Sequence, residues 1–118
     1  MSFINEQNIP TPEEVRDIVP FPRHLVGVKA KRDAELKDII SGKVDKFIVV
    51  IGPCSASDED AVCDYISRLA KVNEEVKDKV FIIPRIYTNK PRTTRDGYKG
   101  MLHQPDPEKA TNIYAGIL

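Results

Sequence analysis

Two apolar runs of β-branched residues constrain the fold of this chain more than any other feature. Residues 47 to 51 read FIVVI, and residues 80 to 86 read VFIIPRI. Apolar runs of this length are typical of parallel strands that are covered on both faces, whereas half-solvated strands alternate polar and apolar residues. Between them, residues 59 to 76 carry apolar side chains at helical spacing. The sequence therefore predicts a β-loop-α-β unit with a right-handed crossover.

The details of this unit follow from its flanking residues. Ser57 or Asp58 can cap the helix, because either side chain can accept a hydrogen bond from the first turn. Pro84 interrupts the second strand and cannot donate to a ladder, so it indicates a bulge or an edge position. The predicted buried stripe of the helix consists of Val62, Ile66, Leu69, Ala70 and Val76.

The residues before the first strand predict two helices. Thr11 and Glu14 form a capping box, and Pro20 ends the first helix shortly afterwards. A second helix is predicted from about His24 to Ile40, where apolar residues recur among charged ones. Residues 1 to 43 are thus expected to form an N-terminal helical extension.

The remaining residues, 44 to 118, are expected to form the first βαβ portion of a larger α/β fold. Two parallel strands would leave apolar faces and edges exposed, and a closed α/β barrel needs ~250 residues. Another helix is predicted to begin near the end of the sequence, with Asp106 as its cap. We therefore expect the 118-residue chain to contain an incomplete fold.

The charge balance excludes some kinds of partner. Lysine plus arginine and aspartate plus glutamate each number 18, so the net charge is zero. This argues against an overall affinity for nucleic acid or anionic membranes. No apolar stretch approaches the ~20 residues of a membrane span, and the N-terminus does not resemble a secretory signal. We therefore expect a cytoplasmic protein without nucleic-acid or membrane partners.

A cluster of cations follows the second strand. Arg85, Lys90 and Arg92 occur within eight residues, and the hydroxyls of Thr93 and Thr94 come next. Cations that lie close together repel one another unless an anion sits between them, and guanidinium groups suit carboxylate or phosphate oxygens. The sequence predicts an anion site at the carboxyl ends of the strands, where α/β folds place their chemistry. The alternative is a solvated basic loop.

The cysteines and histidines are ambiguous on spacing alone. Cys54 follows the first strand and could be a metal ligand or a small packed hydrophobe. Cys63 lies near the apolar stripe of the helix and is interpreted as packing. His24 and His103 have no partner at metal-ligand spacing and are expected at the surface.

Three motifs together carry a resemblance to a known family. The stretches VVIGPCS, PRIYTNKPRTT and DGYKGMLHQPD closely resemble the type I 3-deoxy-D-arabino-heptulosonate 7-phosphate (DAHP) synthases, from about residue 35 onwards. The resemblance implies a (β/α)8 TIM barrel. It also implies condensation of phosphoenolpyruvate with erythrose 4-phosphate to DAHP and phosphate, the first step of the shikimate pathway. Members require a divalent metal ion.

The resemblance also implies roles for single residues. Cys54 would be one ligand of the divalent metal. Arg85 and Lys90 would contact phosphoenolpyruvate, and Lys90, the expected catalytic residue, would also lie near the aldose carbonyl. Arg92 and Thr93 would hold erythrose 4-phosphate.

The length of the chain limits this expectation. Members of the family are about three times longer, as a barrel with an extension requires, and their other metal ligands belong to later strands. We expect the 118-residue chain alone to be inactive and not to hold the metal by itself. The family also implies a homo-oligomer and an aromatic amino acid effector. Two alternatives stay open: a non-catalytic oligomerisation or regulatory module, and a stand-alone binder of phosphorylated metabolites.

Overall fold

The structure, a computed structural model, describes residues 8–90, 97–103 and 112–118. Helix α1 spans Pro12–Ile18, and a short 3-10 helix at Arg23–Leu25 leads into α2. The later elements follow in the predicted order: α2 at Val26–Ile40, β1 at Phe47–Ile51, α3 at Glu59–Val76, β2 at Val80–Pro84 and α4 at Ile113–Ile117. The helix start predicted at Asp106 lies outside the described residues.

The two strands form a parallel sheet, so the predicted β-α-β unit is confirmed. The pairing is in register from Phe47 opposite Val80 to Ile51 opposite Pro84. Helix α3 connects the strands and contacts β2. The predicted extension of β2 to Ile86 is wrong, because pairing ends at Pro84 and only the Arg85 amide still donates to the Ile51 carbonyl, at 2.9 Å. The chain therefore forms an α/β fold with a small parallel sheet.

The predicted helix starts are confirmed by their capping contacts. The Thr11 hydroxyl accepts from the Glu14 amide at 3.3 Å, and the Thr11 amide donates to the Glu14 carboxylate at 2.7 Å. At α3 the Asp58 carboxylate accepts from the Ala61 amide at 2.9 Å. Asp58, rather than Ser57, is therefore the cap that satisfies an orphan amide of the first turn.

The core lies between α3, β2 and the loops at the carboxyl ends of the strands. Its buried hydrophobic residues among those described are Ala56, Val62, Phe81, Ile82 and Tyr98. The predicted stripe of α3 was too wide, because Val62 alone is buried and Ala70 is exposed. The two strands among the described residues form too small a sheet to cover the whole apolar face of the helix.

Strand β1 exposes much of its apolar surface. Phe47 is 75% exposed and Val50 is 62% exposed, although both belong to the apolar run that predicted a doubly covered strand. Within the described residues each strand also has one free edge. No helix in the described part of the chain is both long enough and apolar enough to cross a bilayer.

Candidate functional site

The carboxyl ends of β1 and β2 meet, and this places two of the three predicted cations, Arg85 and Lys90, against the loop at residues 52–54. The Arg85 guanidinium donates to the carbonyls of Gly52 and Pro53, at 3.2 and 2.8 Å. The Lys90 ammonium donates to the Cys54 carbonyl at 2.8 Å and lies 3.0 Å from the Cys54 sulfur. The two strand ends therefore lie within side-chain reach of each other.

Gly52 allows this close approach. A Cβ atom built on Gly52 would lie 1.7 Å from the Arg85 carbonyl oxygen, well inside ordinary van der Waals contact. Because the obstructing atom belongs to the backbone, it cannot rotate away as a flexible side chain could. A residue without a side chain is therefore needed where the loop after β1 crosses the end of β2.

Tyr87 lies beside both cations. The Arg85 guanidinium carbon is 5.2 Å and the Lys90 nitrogen 4.7 Å from the centre of its ring. The two cationic groups are therefore within about 10 Å of one another. The Tyr87 carbonyl also accepts from the Ala56 amide at 3.0 Å, which ties the loop after β1 to the segment after β2.

The positive charges of the site have no carboxylate partner among the described residues. The ion pairs among the described residues involve other side chains, whereas Arg85 and Lys90 contact backbone carbonyls and the Cys54 sulfur. Arginine has five N–H donors and lysine three, which leaves donors for a ligand. Arg85 is exposed and Lys90 half-buried, so the solvated basic loop stays an alternative, while the hydrogen bonds to the loop at residues 52–54 favour an anion site.

The structure describes some of the other predicted site residues but not all of them. Arg92, Thr93 and Thr94 lie outside the described residues, so their predicted contacts stay predictions. Cys54 is exposed, and the alternative that it is a packed hydrophobe is wrong.

Cys63 is exposed as well, so the packing prediction for it is also wrong. It follows the buried Val62 on α3, and successive helical residues are about 100° apart, which turns its side chain away from the core. His24 and His103 are exposed, as predicted.

The described residues do not form a metal site by themselves. No group of three or more histidine, cysteine, aspartate or glutamate side chains in residues 8–90, 97–103 and 112–118 is arranged to hold an ion. Cys54 would supply one ligand, whereas a defined zinc-type geometry needs about four.

One segment near the site, residues 97–103, belongs to the DGYKGMLHQPD motif but was given no role in the predicted anion site. Residues 97–103 lie beside residues 88–90, and the Lys99 carbonyl accepts from the Lys90 amide at 3.0 Å. Tyr98 in this segment is buried, and burial raises the pKa of its phenol. The sequence did carry a turn signal in this segment, the two glycines Gly97 and Gly100 three residues apart. Both adopt positive φ angles in the structure.

Comparisons of this chain with a family model and with individual proteins all indicate the same enzyme family. The model of the DAHP synthetase I family matches residues 23–117. The phenylalanine-inhibited phospho-2-dehydro-3-deoxyheptonate aldolase of Saccharomyces cerevisiae is 45% identical over 80 residues, which cover 68% of this chain and 21% of that protein. The Tyr-sensitive enzyme of the same name from Escherichia coli is 32% identical over 113 residues, covering 96% of this chain and 32% of the relative.

A solved structure of the same kind of enzyme has the same fold over nearly all of this chain. The phospho-2-dehydro-3-deoxyheptonate aldolase of Francisella tularensis superposes with a TM-score of 0.82 and 30% sequence identity, over 98% of this chain and 33% of that one. This chain thus spans about a third of the solved protein, and 21% and 32% of the two curated relatives. Because the family model matches most of the sequence, the chain belongs to the DAHP synthetase I family.

Proposed function

We propose that this chain supplies the N-terminal helices and the first two strands of a DAHP synthase. The proposed reaction joins phosphoenolpyruvate to erythrose 4-phosphate and releases phosphate. The observation that carries the proposal is the placement of Arg85 and Lys90 against the loop at residues 52–54, without a carboxylate partner among the described residues. The family match supports the identity of the substrates.

The chemistry of phosphoenolpyruvate suits these two cations. The molecule carries a phosphate and a carboxylate, and both kinds of oxygen accept charge-assisted hydrogen bonds from guanidinium and ammonium groups. Arg85 has its orientation fixed by two backbone carbonyls, so little freedom is lost when it binds a ligand. Lys90 would bind the same substrate and lie near the aldose carbonyl, where its positive charge would stabilise developing negative charge.

The other proposed roles extend this site. Arg92 and Thr93 would bind erythrose 4-phosphate, and Cys54 would be one ligand of a divalent metal whose other ligands come from later strands. In this proposal residues 44 to 118 form the first part of a (β/α)8 barrel. The exposure of Phe47 and Val50 supports it, because the further strands and helices of a barrel would cover both faces of β1.

Residues 1 to 43 are proposed to be an extension that packs beneath the barrel. Arg32 of α2 donates to the Ile82 carbonyl at 2.7 Å, and its guanidinium carbon lies 4.3 Å from the centre of the Phe81 ring. Lys46, just before β1, bonds Glu35 of α2 at 2.6 Å in a partly buried pair. These contacts attach α2 to the start of β1 and to β2.

A chimeric enzyme tests the proposed reaction. This chain would replace the matching first third of the Tyr-sensitive Escherichia coli relative, and condensation would be followed by the loss of phosphoenolpyruvate. We expect activity in the chimera and none in the short chain alone. Lys90→Met should lower kcat at least about a hundredfold, as loss of one stabilising donor commonly does.

Lys71→Met is the matched control, because Lys71 is exposed on α3. It should leave the rate within about twofold, in line with the small effects of most surface substitutions. A chimera that melts cooperatively but forms no product would contradict the proposed reaction. Full activity in Lys90→Met would contradict the role of Lys90.

A second candidate is an interaction module that acts without catalysis. The exposed apolar residues Phe21, Val26 and Val28 near the start of the chain favour it, as do the free strand edges within the described residues. Names of relatives include the terms phenylalanine-inhibited and Tyr-sensitive, so we also propose an aromatic amino acid as effector and a homo-oligomer as the assembly. Light scattering after size-exclusion chromatography tests this, and a stable monomer would count against it.

A further inference from the structure

Residues 97–103, which we name the brace, pair with the backbone on both sides of Asn89. The Lys90 amide donates to the Lys99 carbonyl at 3.0 Å, and the Met101 amide donates to the Thr88 carbonyl at 2.7 Å. Asn89 and Gly100 face each other as an isolated antiparallel bridge between these bonds. Lys90 is therefore held by a backbone contact that is independent of β1 and β2.

Gly100 is the residue that makes this pairing possible. Opposed residues that do not bond each other in an antiparallel pair bring their Cα atoms to about 4.5 Å. A Cβ atom on Gly100 would lie 2.6 Å from the Thr88 carbonyl oxygen and 3.0 Å from the Asn89 Cα. Gly100 also has a φ of +130°, a conformation that residues with side chains rarely adopt.

Other contacts fix the brace itself. Tyr98 is 7% exposed and belongs to the buried core. Helix α4 also approaches so closely that a Cβ atom on Gly116 would lie 1.8 Å from the Met101 carbonyl oxygen. The brace thus contributes to the core, lies against α4 and pairs with residues 88–90.

We propose that the brace positions Lys90, and that Gly100 is a positioning residue for the site. The role of Lys90 in binding phosphoenolpyruvate rests on the function proposed above, whereas the positioning does not. The four-carbon stem of lysine is flexible but has a finite reach, so the ammonium group can contact Cys54 only when the backbone at Lys90 lies close to the loop after β1. The observed distance of 2.8 Å to the Cys54 carbonyl depends on that backbone position.

Amide hydrogen exchange of the 118-residue chain tests the positioning directly. In Gly100→Ala the added methyl group must push the brace away from Thr88, so the amides of Lys90 and Met101 should exchange about tenfold faster, as expected for a weakened hydrogen bond. Gly42→Ala is the matched control, because Gly42 also has a positive φ, of +77°, but no atom within 4 Å of the added Cβ. It should leave the ratio of Lys90 exchange to core exchange unchanged.

Gly116→Ala gives a second, more remote perturbation in case Gly100→Ala does not fold. It should move α4 away from Met101 and raise the exchange rate of that amide about fivefold. Lys90 and Met101 amides that are unprotected in the parent chain would overturn the proposal. Equal protection of these two amides in the parent chain, in Gly100→Ala and in Gly116→Ala would also overturn it.

A double-mutant cycle separates positioning from a general loss of structure. Phosphoenolpyruvate is titrated into the chimeric enzyme in a calorimeter, and Gly100→Ala should weaken binding several-fold when Lys90 is present. In a Lys90→Met background the same change should have no further effect, because coupled residues are not additive. Additive losses would refute the brace as a positioning device. If Lys90→Met alone leaves binding unchanged, the proposed function fails, and hydrogen exchange still decides on the brace.

Discussion

Replacing Gly52 by alanine should separate the two strand ends that form the candidate site. The added Cβ would lie 1.7 Å from the Arg85 carbonyl oxygen and 2.7 Å from the Arg85 carbonyl carbon, whereas ordinary contacts begin near 3.4 Å. Both obstructing atoms belong to the backbone of the residue that follows β2. The end of β2 or the loop after β1 must therefore move by more than an ångström.

The loss of stability in Gly52→Ala can be worked out from the contacts that this movement disturbs. Overpacking costs about 1–3 kcal/mol, and the hydrogen bond from the Arg85 amide to the Ile51 carbonyl contributes about 1 kcal/mol. The free energy of unfolding should fall by about 2–4 kcal/mol in total. The bonds from the Arg85 guanidinium to residues 52 and 53 should weaken as well.

Urea unfolding of the parent and variant chains measures the effect, with Gly27→Ala as the control. Gly27 lies in α2, where an added Cβ meets nothing within 4 Å, so alanine should stabilise the helix by up to ~1 kcal/mol. The two alanine substitutions should thus have opposite signs. A Gly52→Ala chain as stable as the parent would refute the reasoning about close approach.

Two further predictions concern the core and the pH dependence. Phe81→Ala should destabilise the chain by about 3–5 kcal/mol, because Phe81 is 4% exposed, while Phe47→Ala at a 75% exposed position should cost far less in the same urea titration. The hydrogen bond from Lys77, and then its charge, lower the pKa of Glu74. Folding therefore favours the ionised form of Glu74, and this contributes to the stability of the folded chain. The contribution is fully present above the pKa of Glu74 in the unfolded chain, and it is lost as the pH falls through the lower pKa of Glu74 in the folded chain. The stability difference between parent and Glu74→Gln should therefore shrink between about pH 7 and about pH 3, and a constant difference would contradict this.

Local rules predicted the helices and strands well, because their signals are contained in a few neighbouring residues. The capping box at Thr11 and Glu14 and the apolar run of β1 each specify an element without knowledge of the rest of the chain. Burial was predicted less well. Whether Ala70 or Phe47 is buried depends on how much of the fold packs against it, and the neighbouring residues in the sequence do not determine that.

The same distinction explains which parts of the candidate site could be predicted. Arg85 directly follows the last pair of an in-register parallel sheet, so its position beside Gly52 follows from the strands alone. Lys90 lies five residues further on, and strand register no longer determines where its backbone runs. Its place beside Cys54 depends on pairing with a segment about ten residues later in the sequence, through backbone groups that every residue type shares. Sequence therefore predicted that Arg85 and Lys90 lie at the same strand ends, while the geometry of Lys90 had to come from the structure.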